Sequence, residues 1–300
     1  MRTSTLLPAL LLLAACAEPS STPDTAADSS ATASGPPGTD IHLFRLTDSG
    51  PEHVAHVTDR DGYDNQPFFT PDGTSLLFTS DRAGNMDTWS YRLSDGSVEQ
   101  VTSTEEGEYS PTVLPDDSGW FSVIRMDLEG VQELWRYPLD GTSAPSRVAV
   151  IDRVGYHTWV GNDRVLFFRL GSPATLQLVA EESADTTVIA GRAGRSLHRI
   201  PGQDASSYAV TLEDDSREIR RYDWATGSST GLAVPVEGGQ DYAWTPDGRL
   251  VMAVDGTLFA YRPGGSVDWE ILGPLGLSNT SRLAVGPDGS LLAVVADRSE

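Results

Sequence analysis

The most constraining feature of this sequence is a repeat that is divided between its two ends. The segment GPDGSLLAVVADR at 286–298 resembles TPDGTSLLFTSDR at 70–82. The next part of the intact repeat, DTWSYRL at 87–93, has its counterpart near the other end, DIHLFRL at 40–46. A chain that starts and ends within a repeat is suited to close a ring, and closure removes exposed sheet edges.

A turn sequence marks the period of the repeat. The tripeptide Pro-Asp-Gly starts at Pro71, Pro246 and Pro287. Its residues suit a turn, because proline presets φ, aspartate bonds nearby backbone and glycine accepts a positive φ. With weaker copies included, the anchor positions recur every 41 to 46 residues, at Asp72, Asp116, Asn162, Gln203, Asp247 and Asp288. This period is the length of one four-stranded propeller blade.

Short apolar runs and turn residues predict four strands in the clearest repeat, at 67–70, 75–80, 87–93 and 98–102. No helical period is evident after residue 40. The sequence therefore predicts an all-β, six-bladed β-propeller over 40–300. Its closing blade combines 281–298 with 40–58, and the other blades are expected at 66–103, 108–150, 155–190, 196–236 and 240–273.

The repeat resembles that of the TolB family of β-propellers. The resemblance lies in HVTD at 56–59, DNQPFFTPDG at 64–73 and FTSDRAGNMDTW at 78–89, with further matches at 240–261 and 283–298. TolB also has an N-terminal α/β domain, so this chain is similar to the propeller alone. The resemblance implies an envelope protein that holds protein partners at the mouth of its central funnel.

The N-terminal residues predict secretion and lipid anchoring. Residues 1–15 combine Arg2 with a short apolar core and are typical of a signal peptide. The core ends in LAAC, which resembles a bacterial lipobox and predicts lipidation of Cys16, the one cysteine of the chain. Residues 16–39 are rich in Ser, Thr, Ala and Pro, and they predict a disordered tether. Ala17 after the cysteine favours the periplasmic side of the outer membrane.

Composition restricts the partners. The formal net charge of −22 argues against nucleic acid and against binding anionic lipid by charge, so the lipid is expected to be the one membrane contact. A single cysteine excludes an intrachain disulfide, and the fold must be held by burial and strand pairing. We expect a monomer.

The loops that enter the innermost strands predict the functional site. Aligning the six blades brings polar and aromatic residues together around one channel mouth. We expect partner or ligand contacts from Asn65, Gln66, Tyr109, Tyr156, His157, His198, Gln240, Asp241, Tyr242 and Arg282. One position further back in the same alignment stand Asp64, Glu108 and Arg195. Aromatic residues and arginine on a rigid rim are typical of protein contacts, although the same residues could plug the channel through hydrogen bonds.

Other patterns offer alternatives. His157 and His198 occupy the same register position in adjacent blades. Propeller enzymes such as oligogalacturonate lyases hold a metal with channel histidines, which this pair resembles, but two histidines do not define a metal site. Residues 59–64, DRDGYD, resemble a calcium loop without its later glutamate. His42, His53 and His56 are expected to be structural. The hydrolase-like GSSTG at 227–231 is expected to be a hairpin turn, because no strand–turn–helix context surrounds it.

The sequence thus favours a lipid-anchored binding module without cofactor or catalytic residues. The alternatives are a carbohydrate-acting propeller enzyme with a channel metal, and a propeller that binds a small ligand or peptide.

Overall fold

The computed structural model describes residues 38–115, 119–265 and 268–298 of the chain. Within these residues, twenty-four β-strands form six four-stranded antiparallel sheets, and no helix is present. No segment described here is a helix long and apolar enough to cross a membrane. The prediction of an all-β, six-bladed propeller is confirmed. The predicted signal peptide, Cys16 and most of the tether lie in 1–37, outside the described residues.

The strands follow one another from the channel outward in each blade. The closing blade is the exception, since its two inner strands come from the C-terminal end and its two outer strands from the N-terminal end. The strands of the closing blade and the first two blades are β1 (Thr39–Thr47), β2 (Gly50–His56), β3 (Asp64–Phe69), β4 (Ser75–Ser80), β5 (Asp87–Arg92), β6 (Val98–Gln100), β7 (Gly107–Val113), β8 (Trp120–Met126), β9 (Gln132–Pro138) and β10 (Ser146–Arg147).

The remaining strands complete the ring. The third to fifth blades and the inner half of the closing blade are β11 (Val154–Val160), β12 (Arg164–Arg169), β13 (Thr175–Ala180), β14 (Thr186–Gly191), β15 (Ala193–Arg199), β16 (Ala205–Thr211), β17 (Arg217–Asp223), β18 (Ser229–Ala233), β19 (Ala243–Trp244), β20 (Leu250–Val254), β21 (Thr257–Tyr261), β22 (Glu270–Pro274), β23 (Leu283–Val285) and β24 (Leu291–Asp297). The blades therefore lie within a few residues of their predicted bounds. The GSSTG segment forms the end of the hairpin turn after β17 and the start of β18, as expected.

Closure of the ring depends on pairing between β24 and β1. The ladder is continuous from Thr39 opposite Asp297 to Arg45 opposite Leu291. The Pro-Asp-Gly turns also meet around the ring. A Cβ at Gly73, whose φ is +67°, would lie 3.3 Å from Pro287, and a Cβ at Gly289 would lie equally close to Pro246. Glycine is therefore favoured at both turns by its positive φ, and a Cβ would in addition press on the neighbouring proline.

The core lies between neighbouring blades. Apolar side chains on both faces of the middle strands are fully buried, such as Phe78, Phe121, Phe167 and Val294. Phe44 of β1 packs with Val251 and Leu258 of the fifth blade and so joins the closing blade to it. Burial of this kind supplies the main free energy of folding.

A threonine fastens the outer strand of two blades. In the first blade, Thr102 Oγ1 accepts a hydrogen bond from the Thr88 backbone N–H at 2.8 Å and donates to Glu108 Oε2 at 2.9 Å. In the closing blade, Thr58 Oγ1 accepts from the Ile41 N–H at 2.9 Å and donates to Asp40 Oδ1 at 3.0 Å. We call this arrangement the threonine clip.

Candidate functional site at the channel mouth

The six innermost strands surround a cavity of about 460 Å³ in the centre of the ring. Among the described residues, its charged lining consists of Arg195, Arg199, Arg282 and Asp241. Three positive charges against one negative charge leave the cavity positive, whereas the whole chain has a formal charge of −22. A concave site with charge opposite to its surroundings concentrates ligands of the other sign.

Asp241 holds the two arginines of the mouth in place. It follows the fifth blade's entry loop, and its carboxylate accepts from Arg195 Nε at 3.1 Å and Nη2 at 2.5 Å. Arg282, at the entry of the closing blade, donates to Oδ1 of the same carboxylate, the oxygen that also accepts from Arg195 Nε. Burial opposes ionisation of Asp241, but the charges of Arg282 and Arg195 outweigh it and hold its pKa below the usual range.

Tyrosines surround this ion cluster. The Arg282 guanidinium lies 4.5 Å from the ring centroid of Tyr156, a cation–π contact that fixes both side chains. Tyr63 lies within electrostatic range of Tyr156, Arg282 and Tyr109, and burial together with these tyrosines raises its pKa. Burial also raises the pKa of Tyr109. The hydroxyls of Tyr63 and Tyr109 therefore stay protonated at neutral pH and can donate hydrogen bonds to an anionic or carbonyl group.

The backbone of the mouth is strained at two equivalent positions. Gln66 in β3 and Ser110 in β7 have φ of 57° and 55°, where non-glycine residues are uncommon. The Gln66 side chain stabilises its neighbour, because its Oε1 accepts from the Ser110 N–H at 2.9 Å. Such strain persists where surrounding contacts determine the conformation, and it is frequent at binding sites.

His157 and His198 point to different partners. His157 Nε2 lies 2.7 Å from Ser122 Oγ, and burial lowers the pKa of this histidine to about 3. The His198 ring contacts Tyr242 at 4.8 Å between centroids, and burial lowers its pKa to about 4 against the opposing charge of Asp241. Both rings are therefore neutral at physiological pH. Among the described residues, the group of three ligands suited to a metal includes neither of them.

Most of the predicted mouth residues line the cavity. Those that do are Gln66, Tyr156, His157, His198, Asp241, Tyr242 and Arg282. The other three lie outside its lining. Asn65 is buried and donates to Thr39 Oγ1 at 3.3 Å, Tyr109 packs against the core of the second and third blades, and Gln240 is exposed.

Two residues of the mouth were missed by sequence reasoning. Arg195 lies in the aligned blade entries but outside the predicted set of contacts, and its charge opposite to that of Asp241 in the next blade is the signal that could identify it. Tyr63 falls inside the segment that resembles a calcium loop. In that segment the buried Asp64 carboxylate pairs with Arg60 at 3.3 Å and Arg82 at 3.1 Å.

Comparison with known proteins places the chain among propellers. No family model matches it. An uncharacterized protein of Agrobacterium fabrum is 29% identical over 137 residues, which are 46% of this chain and 41% of that protein. The match thus spans less than half of that relative's length.

Solved structures share the fold. A TolB candidate from Agrobacterium tumefaciens superposes with a TM-score of 0.67 at 17% identity, over 87% of this chain and 99% of that one. TolB from Acinetobacter baumannii gives 0.56 at 13% identity, over 88% and 65%. Oligogalacturonate lyase from Vibrio parahaemolyticus gives 0.55 at 14% identity, over 86% and 97%. At these identities the likeness concerns the propeller fold alone.

Proposed function

We propose that this chain is a lipid-anchored propeller of the bacterial cell envelope that binds a segment of a partner protein in its channel mouth. The observation that carries the proposal is the positive cavity within a strongly acidic chain, with Arg195 and Arg282 fixed by Asp241. The segment it accepts is expected to carry a carboxylate, from an acidic side chain or a chain end. Recognition in this scheme requires no covalent chemistry.

The electrostatics of the mouth favour a local anionic contact. Asp241 neutralises one of its two arginine partners, so one positive charge remains for a ligand. Arg282 is covered by Tyr156 on one side and by Asp241 on another, which reduces the entropy it loses on binding. The acidic surface elsewhere repels a uniformly acidic partner, so the contact is expected to involve a short segment that enters the cavity.

The envelope location is proposed on the sequence features. The signal-like residues 1–15 and the lipobox cysteine Cys16 predict a lipid anchor, and Ala17 favours the outer membrane. The TolB-type repeat supports a partner in the same compartment. Metabolic labelling with a palmitate analogue should mark the natural chain and leave Cys16→Ser unlabelled. Equal labelling of both would remove the anchor from the proposal.

The binding site is tested by charge changes at the mouth. Arg282→Gln and Arg195→Gln together should weaken capture of the partner by more than about tenfold, since charged hydrogen bonds contribute about 1.5–3 kcal/mol each. Arg164→Gln is the matched control, because this arginine lies in β12 outside the cavity lining and forms an ion pair at 3.8 Å with the exposed Asp163. If the mouth variant captures the partner as well as the control does, the mouth is not the interface.

A second candidate is a small acidic ligand, including an acidic oligosaccharide as in a carbohydrate-acting propeller. The observation that favours it is the cavity of about 460 Å³, which is lined by three arginines and Tyr156. A ligand that binds only the folded state raises the melting temperature. A thermal-shift screen with galacturonate oligomers would support this candidate if the natural chain is stabilised and the Arg195/Arg282 variant is not.

A further inference from the structure

Three of the five histidines of the chain meet on the two outer strands of the closing blade, away from the channel lining. His42 lies on β1, and His53 and His56 lie on β2. One ligand nitrogen from each ring lies within 4.8 Å of the others. The ring centroids are 5.7 Å apart for His42 and His53, 4.8 Å for His42 and His56, and 4.7 Å for His53 and His56.

A β-bulge creates this arrangement. His42 is opposite His56 and Leu43 is opposite Ala55, but Phe44 is opposite His53, so Val54 is an extra residue in β2. Residues three apart in a regular strand point to opposite faces of the sheet. The extra residue reverses this alternation and brings His53 to the same face as His56.

The same register position in the first blade carries different chemistry. There Trp89 is opposite Gln100, and the Arg82 guanidinium lies 4.9 Å from the Trp89 ring centroid. The blade architecture therefore does not require histidine at these positions. The histidine cluster is a property of the closing blade.

We propose that His42, His53 and His56 form a binding site for a divalent transition-metal ion such as Zn²⁺. Imidazole nitrogens are preferred ligands of Zn²⁺, Ni²⁺ and Cu²⁺. Three nitrogens at about 2.0–2.1 Å from a tetrahedral ion lie about 3.3 Å apart, so rotation of the two exposed rings on β2 suffices to close the observed spacing.

The environment suits a bound ion with one open position. His42 is buried, and its Nδ1 has no hydrogen-bond partner in the structure, which is costly for a buried polar atom. His53 and His56 are exposed, so solvent or an added ligand can occupy the fourth position.

The proposal is tested with Zn²⁺ and Co²⁺ on the folded chain purified without a histidine tag. Titration calorimetry should give one Zn²⁺ per chain, and Co²⁺ should give the visible absorption of a tetrahedral site. His53→Gln and His56→Gln should each weaken Zn²⁺ binding by more than about tenfold, because even changes around the ligands cost 10–100-fold.

The control is Glu52→Gln, which removes a neighbouring carboxylate opposite Arg45, on the other face of β2. It should leave Zn²⁺ affinity and the Co²⁺ spectrum unchanged. Circular dichroism and melting in the presence of a chelator establish that the histidine variants fold. Equal Zn²⁺ affinity in the natural chain and the His53/His56 double variant would overturn the proposal, as would a Co²⁺ spectrum typical of carboxylate and water ligands.

Discussion

The first blade and the closing blade are built from the same repeat, yet they present different chemistry on the same frame. Both use the threonine clip, with Thr102 bound to the Thr88 N–H and Thr58 bound to the Ile41 N–H. At the same register positions of the outer strands, the first blade has Trp89 beside Arg82, whereas the closing blade has a cluster of histidines. The repeat therefore determines backbone pairing, while outer side chains are free to differ.

The two clips also differ in where their carboxylates originate. Thr58 donates to Asp40 of its own blade, whereas Thr102 donates to Glu108, which lies on the inner strand of the next blade. Glu108 is fully buried and also accepts from Tyr137 at 3.0 Å. The first clip thus connects two blades, and the second stabilises only the hairpin that closes the ring.

The largest expected effect is on stability, and it differs between Phe44 and Tyr91, which occupy equivalent positions in the closing and first blades. Phe44→Ala should lower the free energy of unfolding by about 3–5 kcal/mol, because its ring is fully buried between the closing and fifth blades. Tyr91→Ala should cost less, since part of its ring reaches the turn at Gly96 near the surface. Urea unfolding measures both. A greater loss of unfolding free energy for Tyr91→Ala than for Phe44→Ala would contradict the greater importance of the Phe44 contact at ring closure.

Changes in the two threonine clips are expected to have the next largest effect on stability. Thr102→Val should lower stability by about 1–3 kcal/mol, because it leaves the Thr88 N–H without a partner and removes a donor from Glu108. Thr58→Val should cost less, since its clip lies within one blade, whereas the clip of Thr102 connects two. Paired urea denaturation curves test the ranking, and equal costs would argue that the link between blades adds nothing.

The buried Glu108 makes the first clip sensitive to pH. Burial raises the pKa of Glu108 from 4.5 to about 7, against the opposing hydrogen bonds from Thr104, Thr102 and Tyr137. Between these values the folded chain keeps a proton that the unfolded chain releases, so this group's contribution to stability falls as pH rises. Glu108→Gln should therefore gain about 2–3 kcal/mol relative to the natural chain between pH 5 and pH 8.

Urea unfolding at a series of pH values measures that difference. Because the two chains differ only at residue 108, the titration of the other groups cancels in the comparison. Tyr137→Phe is the control for lost hydrogen bonding, because it removes one donor without removing the carboxyl. A constant difference between Glu108→Gln and the natural chain across this range would contradict the raised pKa.

The smallest effect on stability is expected at the mouth hydroxyls. Tyr109→Phe combined with Tyr156→Phe retains the apolar contacts of both rings. It should change the free energy of unfolding by less than about 1 kcal/mol. Partner capture should fall in the same variant if the hydroxyls contact the partner. A loss of stability equal to that of Thr102→Val would mean that these tyrosines hold the fold together.

The sequence reveals the ring because its signals are local and repeated. The turns at Pro71, Pro246 and Pro287 give the blade length, and the divided repeat predicts that β24 pairs with β1. These features depend on residues close in sequence, which pattern reasoning detects. The blades between 154 and 233 lack the full turn sequence, and there spacing alone locates the strands.

The candidate sites depend on contacts that no local pattern encodes. Alignment of the blades brings Tyr156, Asp241 and Arg282 to one mouth, but the ion pairs of Asp241 with Arg195 and Arg282 cross from blade to blade. The histidine cluster depends on the bulge at Val54. A regular strand would place His53 and His56 on opposite faces, so the sequence gives no signal that they share a face with His42. Their place on the outer strands of the closing blade led only to the expectation that they are structural.

The central claim, that the mouth holds a partner protein, is tested most directly by site-specific photocrosslinking in living cells. A photoreactive residue is placed at Gln240 on the exposed mouth rim and, for comparison, at Val188 on the exposed outer strand β14. The account predicts one discrete crosslinked envelope protein from Gln240 that is lost in the Arg195/Arg282 variant, and none from Val188. Identical crosslinked products from both positions, or a Gln240 product that survives the arginine changes, would contradict it.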